Sequence, residues 1–190
     1  MPYEPPPELA ALSLAEIAEA VAARRLPAVN QWHPASAGDS HMRIAANGQW
    51  FHDGAPITRP AMVRAFASLL TRNETGQHWL VTPHERLAIA VDDAAFIATD
   101  LEVRADAQGR PALAFRIQTD EFVIAGPDNP IRAAGDPDTP ALYLGVRHGT
   151  EARLNRSTYG QLIDHALMVS HGGPLAVESL GSRFVLAPPP

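Results

Sequence analysis

Histidine, arginine and carboxylate side chains carry nearly all the reactive chemistry in this 190-residue chain. It has no Cys, and all 15 of its basic residues are Arg. Without a thiol, disulfides, thiolate nucleophiles, iron–sulfur clusters and Cys-bound zinc are excluded. Without a lysine amine, Schiff-base catalysis, a pyridoxal-phosphate anchor and the P-loop lysine go too. Phosphate-binding, nucleophile-elbow and zincin signatures (G-x-G-x-x-G, G-x-S-x-G, H-E-x-x-H) are all missing, so no cofactor is expected.

What remains is anion binding and imidazole–carboxylate chemistry. Arg59 stands immediately before the predicted helix "PAMVRAFASLL", and Arg156 immediately before the predicted helix "STYGQLIDHALMV". A helix start carries the positive end of the macrodipole, so a cation there needs something negative beside it. That is either an internal carboxylate, with Asp53 and Glu151 the nearest candidates, or a ligand carboxylate or phosphate held by guanidinium and free N–H groups. His52, His78, His84 and Glu85 supply the donors for a transition metal, although their spacing does not put two ligands on one helix face. His52 and Asp53 are adjacent and, in a strand, would point to opposite faces, so they form no catalytic dyad. Trp32, Trp50 and Trp79 read as core or rim anchors.

Several elements must position these groups. Ser13 and Glu16 form a capping box for a helix carrying Leu14, Ile17 and Val21 that Pro27 stops. A Pro-rich lead-in, "EPPPELAAL", precedes it. "QWHPASAGDS" reads as a loop. "HMRIAA", Asn47-Gly48, "QWFH", Asp53-Gly54 and "APIT" then make a three-stranded meander, with the Asn-Gly and Asp-Gly pairs supplying positive φ. Pro60 begins the next helix, whose stripe of Met62, Val63, Phe66, Leu69 and Leu70 carries it to about Arg72, one face on the sheet.

The remainder is β-rich. "HWLVTP" and "RLAIAV" are strands. "AAFIATDLEVRA" turns at "DAQGR" into "PALAFRIQT", with Ile97, Leu101 and Val103 on one face, matched by Leu113, Phe115 and Ile117. Asp100, Glu102 and Arg116 face the other way and pair across the hairpin. "EFVIAG" is a further strand, and "GPDNP" and "GDPDTP" are turns. "ALYLGVRHGTEARLNRSTYGQLIDHALMVSHGG" repeats the opening pattern of strand, x-Gly turn, short strand, Arg and amphipathic helix, with Ser157 as N-cap. Arg59 follows Gly54 by five residues and Arg156 follows Gly149 by seven, so the repeat is loose. "SRFVLAPPP" closes with a short strand and a Pro tail.

These signals give an α+β fold of mostly antiparallel sheets or rolls with a few packed helices, containing two related strand-turn-strand-helix units. Thr82-Pro83 marks a boundary between residues 1–83, an N-terminal helix, meander and helix, and the β-rich 84–190. At 46% hydrophobic and 19% charged residues with a net charge of −6, the chain reads as soluble and globular. Dispersed Arg on an acidic chain argues against nucleic acid. No apolar run is long enough for a membrane span, and the start lacks signal-peptide features, so the expected location is cytoplasmic.

W-F-H-D-G, P-I-x-R, F-A-S-L-L, W-L-V-T-P and V-x-D-A-x-F fall in order between Trp50 and Phe96. Together with "ALYLGVRHGTEARLNRSTYGQLID", they make the chain from about residue 40 onward resemble the bacterial DUF1285 family, a domain of unknown function. The resemblance implies a two-part α+β protein with a repeated motif, no established activity and a suggested signalling role. His84 and Ala95 depart from the family pattern, which has an aliphatic residue and Pro there, so no shared role attaches to His84.

The residues and the resemblance favour a noncatalytic anion-binding or sensing module. Trp50, His52, Arg59 and Trp79 would line its pocket, with Arg156 a second anion contact. A metal-assisted hydrolase built on His52, His78, His84 and Glu85, and a protein-interaction adaptor, stay open. Oligomeric state is not readable.

Overall fold

Turn chemistry and strand register build this protein, and both are visible in a computed structural model that describes residues 11–187. Most of the Pro-rich lead-in and the final three prolines lie outside the described residues. The chain divides into two compact units. The first comprises residues 25–96 and Val146–Glu151; the second comprises the described residues up to Arg24, with Ile97–Gly145 and residues 152–187.

In the first unit a six-stranded sheet has the order β3-β2-β1-β6-β5-β4. Its strands are β1 (Ser36–Ile44), β2 (Trp50–His52), β3 (Ala55–Pro56), β4 (Leu70–Arg72), β5 (His78–Val81) and β6 (Glu85–Val91), with helix α2 (Pro60–Ala67) between β3 and β4. β1, β2 and β3 are the expected meander. Asp53 and Gly54 have φ of 48° and 80°, as a two-residue hairpin of this twist requires. At Asn47-Gly48 only Gly48 is left-handed (φ 83°), and the Asn47 side chain instead accepts from the Gln49 N–H.

Two expectations fail in this unit. "QWHPASAGDS" is not all loop: from Ser36 the chain is strand, running parallel to β6 across a bulge between Asp39 and Arg43. A Cβ at Gly38 would sit 3.1 Å from Leu87, so a small residue is needed where β1 meets β6. The helix predicted to reach Arg72 ends at Ala67, because Leu70–Arg72 pair with β5, Leu70 opposite Leu80. Propensity alone cannot see that partner. Phe66 stacks on the buried Trp50, with ring centroids 6.4 Å apart, fixing one face of α2. Ile44, Trp50, Leu70, Leu80, Ile89 and Phe96 are buried.

The second sheet has the order β10-β11-β12-β7-β8-β9, and a two-stranded sheet joins β13 and β14. The strands are β7 (Phe96–Ala105), β8 (Pro111–Ile117), β9 (Phe122–Ile124), β10 (Ile131–Ala134), β11 (Ala141–Arg147), β12 (Thr150–Leu154), β13 (Ala176–Ser179) and β14 (Ser182–Val185). The helices are α1 (Leu14–Ala23) and α3 (Arg156–Val169). The Ser13–Glu16 capping box is present, and Ile17 packs with Ala114 and Phe122. Pro27 does not itself stop α1, which already ends at Ala23 with Arg24 extended.

A β-bulge between Ala98 and Asp100 breaks the alternation read for β7. Phe96, Ala98 and Leu101 are buried, whereas Ile97 is half-buried and Val103 is 37% exposed. Every residue from Ala112 to Phe115 is fully buried, so β8 is covered on both faces. Register sets Asp100 opposite Arg116, but Arg116 donates to Asp120 and Glu102 accepts from Arg104. α3 starts two residues earlier than expected. Its N-cap is Asn155, whose side chain accepts from the Thr158 N–H at 2.8 Å, and Ser157 lies inside the helix.

The α+β class and the two similar repeated units are as the sequence predicts. His148 and Gly149 reproduce the φ pair of Asp53 and Gly54, at 47° and 77°.

Candidate functional site

Cross-strand register determines which side chains share the outer face of the first sheet. β4, β5 and β6 pair Thr71 with Trp79, Trp79 with Ala88 and Val81 with Arg86, so these side chains project from one face. Leu70, His78 and Leu80 point to the other, where they are buried. The Thr82 hydroxyl closes the β5–β6 turn, accepting from the N–H groups of His84 and Glu85 and donating to the Glu85 carbonyl. That tight turn brings Arg86 diagonally across to Trp79, with the guanidinium carbon 4.9 Å from the ring centroid. The geometry is a cation–π contact, which leaves the guanidinium edge open to hydrogen-bond a ligand.

A second wall comes from the segment before β1. Val29 is buried and begins a single 3₁₀ turn, Val29–Gln31, closed by the Trp32 N–H donating to the Val29 carbonyl at 3.2 Å. Trp32, His33 and Pro34 follow, with His33 Nδ1 3.2 Å from the Gln31 carbonyl. Between this wall and the sheet lies a groove of about 480 Å³ whose lining includes Trp32, His33, Arg72, Trp79 and Arg86 and, among the described residues, no Asp or Glu. The volume is within the range of small-molecule sites, roughly 300–1,000 Å³. Arg86 makes no ion pair among the described residues. Arg72 is loosely paired, its Nη1 3.8 Å from Glu151 Oε2.

Beside Arg72, on the same face of the sheet, stands His78, its cross-strand partner. Burial, reinforced by the Arg72 charge and opposed by Glu151, pushes the His78 imidazole down to about 4. It is therefore neutral at neutral pH and buried in the unit. The hairpin tip Val146–Glu151, which belongs to this unit, supports Arg72 further: the Arg72 N–H donates to the His148 carbonyl at 2.8 Å. Arg147 donates to the Ala67 carbonyl and lies 4.9 Å over the Phe96 ring.

Of the residues expected from sequence to bind a ligand, only Trp79 lines this groove, and Trp32, read as a core or rim anchor, lines it as well. Trp50 is 1% exposed, in the core against Phe66, and its Nε1–H meets no acceptor among the described residues. His52 is exposed beside the Asp53-Gly54 turn, with Nε2 3.6 Å from Asp53 Oδ2. The left-handed turn conformation of Asp53 removes the strand alternation that would have parted the two side chains. Arg59 is the exposed N-cap of α2, without a side-chain capping bond, and Arg156 is the exposed first residue of α3 in the second unit. Neither makes an ion pair among the described residues, so the carboxylate partners expected in Asp53 and Glu151 do not serve them. His52, His78 and His84–Glu85 sit on β2, on β5 and at the β5–β6 turn, and no three His, Asp or Glu side chains converge to hold a metal among the described residues.

Sequence reading passed over Arg72, Arg86 and His33. Arg86 was within reach, because once "HWLVTP" and "RLAIAV" are set as a hairpin about Thr82 its diagonal relation to Trp79 follows. Arg72 was hidden by its assignment to a helix. His33 enters only through tertiary packing.

Fold and groove together define a class: a two-unit α+β protein whose first unit bears a cationic, aromatic-walled groove on the outer face of a mixed sheet. The chain belongs to the DUF1285 family, a family of unknown function. Residues 27–94 match its N-terminal domain and residues 95–186 its C-terminal domain. The crystal structure of a DUF1285 family protein from Silicibacter pomeroyi DSS-3 is similar over 93% of this chain and 95% of its own, at 41% identity and a TM-score of 0.77. A DUF1285 family protein from Shewanella baltica OS155 shares the fold at 21% identity and a TM-score of 0.50, over 65% of this chain and 90% of its own. A comparison with curated proteins finds no match. No helix among the described residues is long and apolar enough to cross a membrane.

Proposed function

We propose that the first unit is a noncatalytic module that binds a small anion carrying a flat apolar group, and that occupancy of the groove is the signal it passes on. One observation carries this reading: the groove lining includes two Arg, a His and two Trp and, among the described residues, no carboxylate. Trp79 and Trp32 offer π-faces and apolar edges, while Arg86, held over Trp79, presents N–H donors to a carboxylate or phosphate. Stacking pre-sets the guanidinium plane, so little side-chain entropy is lost on binding.

The test uses intrinsic Trp fluorescence and thermal shift on the full chain, with ATP, inorganic phosphate, citrate and benzoate as probes. ATP or benzoate is expected to quench fluorescence and raise the melting temperature, and a ligand at a hundred times its Kd adds roughly 2.7 kcal/mol. Arg86→Gln should weaken that binding at least tenfold without changing the apo melting temperature. Absence of any response to the four probes, or a response that Arg86→Gln leaves intact, would reject the assignment.

A further inference from the structure

The second unit contains a cavity of about 410 Å³ whose lining includes His165, Val169, Ser170, His171, Glu178 and Arg183, with Pro111 and Pro174 as rigid edges. Its floor is the β13–β14 hairpin, anchored by a fully buried hydroxyl. Ser179 Oγ accepts from the Leu113 N–H at 2.8 Å and donates to the Ala125 carbonyl at 2.7 Å. Leu180 N–H also donates to the Pro111 carbonyl. The hairpin is therefore a fixed platform.

Register places Glu178 directly opposite Arg183, so both side chains rise from one face. Opposite charges so placed normally pair across a hairpin. Here neither makes an ion pair among the described residues, although both line the cavity. The other wall is the C-terminal end of α3. This helix has no basic residue in its last turn, and its C-cap Ser170 is extended (ψ 130°). Its final carbonyls are the negative end of the macrodipole and attract a cation. Arg183 and His171 supply donors for an anion. His165 is half-buried, and burial lowers its pKa, so near neutrality its imidazole is an uncharged hydrogen-bonding group.

We infer that this cavity binds a zwitterion of the α-amino acid class. Its ammonium is held by Glu178 and the α3 carbonyls, and its carboxylate by Arg183 and His171. The site is independent of the groove in the first unit and takes a different ligand.

Calorimetry on the full chain with free L-leucine, L-glutamate and L-phenylalanine, beside N-acetyl-L-leucine and L-leucinamide, tests it. At least one free amino acid should bind at millimolar concentration or below, and each blocked form of leucine should bind at least tenfold more weakly than leucine itself. Glu178→Gln and Arg183→Gln, both exposed and harmless to folding, should each cost at least tenfold, with amide NMR shifts at Gly172, Gly173 and Ala176 on binding. Equal binding of the blocked forms, shifts confined to other residues, or no heat with any free amino acid would overturn the proposal.

Discussion

Asp53-Gly54 and His148-Gly149 are the same turn in sequence pattern and in backbone angles, yet the protein uses them differently. Nothing lies within 4 Å of a Cβ built on Gly54, whereas one built on Gly149 meets the Arg72 carbonyl oxygen at 2.5 Å. In the first turn glycine answers only the demand for positive φ. In the second it also lets one backbone approach another, and the Arg72 N–H bonds to His148 across the same junction. Local conformation is thus shared by the two repeats, while packing separates them. The helices that follow differ likewise: α3 has a side-chain cap in Asn155, and α2 has none.

Replacing each glycine sharpens that comparison most. Gly149→Ala adds backbone strain of roughly 1–2 kcal/mol to a clash with main chain that only a backbone shift relieves. The expected total is about 3 kcal/mol or more, measured as a fall in urea midpoint. Gly54→Ala should cost only the strain, about 1–2 kcal/mol. Equal losses would break the distinction between the turns.

His78, the cross-strand partner of Arg72, sets a pH dependence beside the second turn. Its folded pKa, about 4, lies below the ordinary 6.5, so the unfolded chain binds the extra proton first. Stability is complete above about 6.5 and falls as pH drops toward 4. The loss is on the order of 2–3 kcal/mol over that window. Urea unfolding between pH 7 and 4 should show this slope, and His78→Gln should flatten it. An unchanged slope would mean that a buried neutral imidazole is not its source.

The smallest effects belong to the helix starts. Asn155→Ala should cost about 1 kcal/mol through loss of the cap. Arg59→Ala, at an exposed N-cap that makes no side-chain capping bond, should fall within about 0.5 kcal/mol of the parent. Thermal unfolding of the two variants measures the difference, and similar losses would mean that Arg59 has a structural partner after all.

Local rules in the sequence determined a good deal of this protein. Ser13 and Glu16 wrote the start of α1, Asp53-Gly54 and His148-Gly149 wrote their hairpins, and the repeated order of strand, turn, strand, Arg and helix wrote the duplication. Each of these depends on residues a few positions apart, whose φ preferences and hydrogen bonds act before any tertiary contact forms. Tertiary structure decided the rest. β1 extends back to Ser36 because β6 lies alongside it, and Leu70–Arg72 leave the helix because β5 pairs with them. The ladder bonds and burial gained with a distant strand outweigh the few tenths of a kcal/mol by which propensity separates most residues. The same holds for the groove. Trp32 and Trp79 drew notice from their type alone, but register is needed to set Arg86 beside Trp79, and the 3₁₀ turn to bring Trp32 and His33 to the same groove.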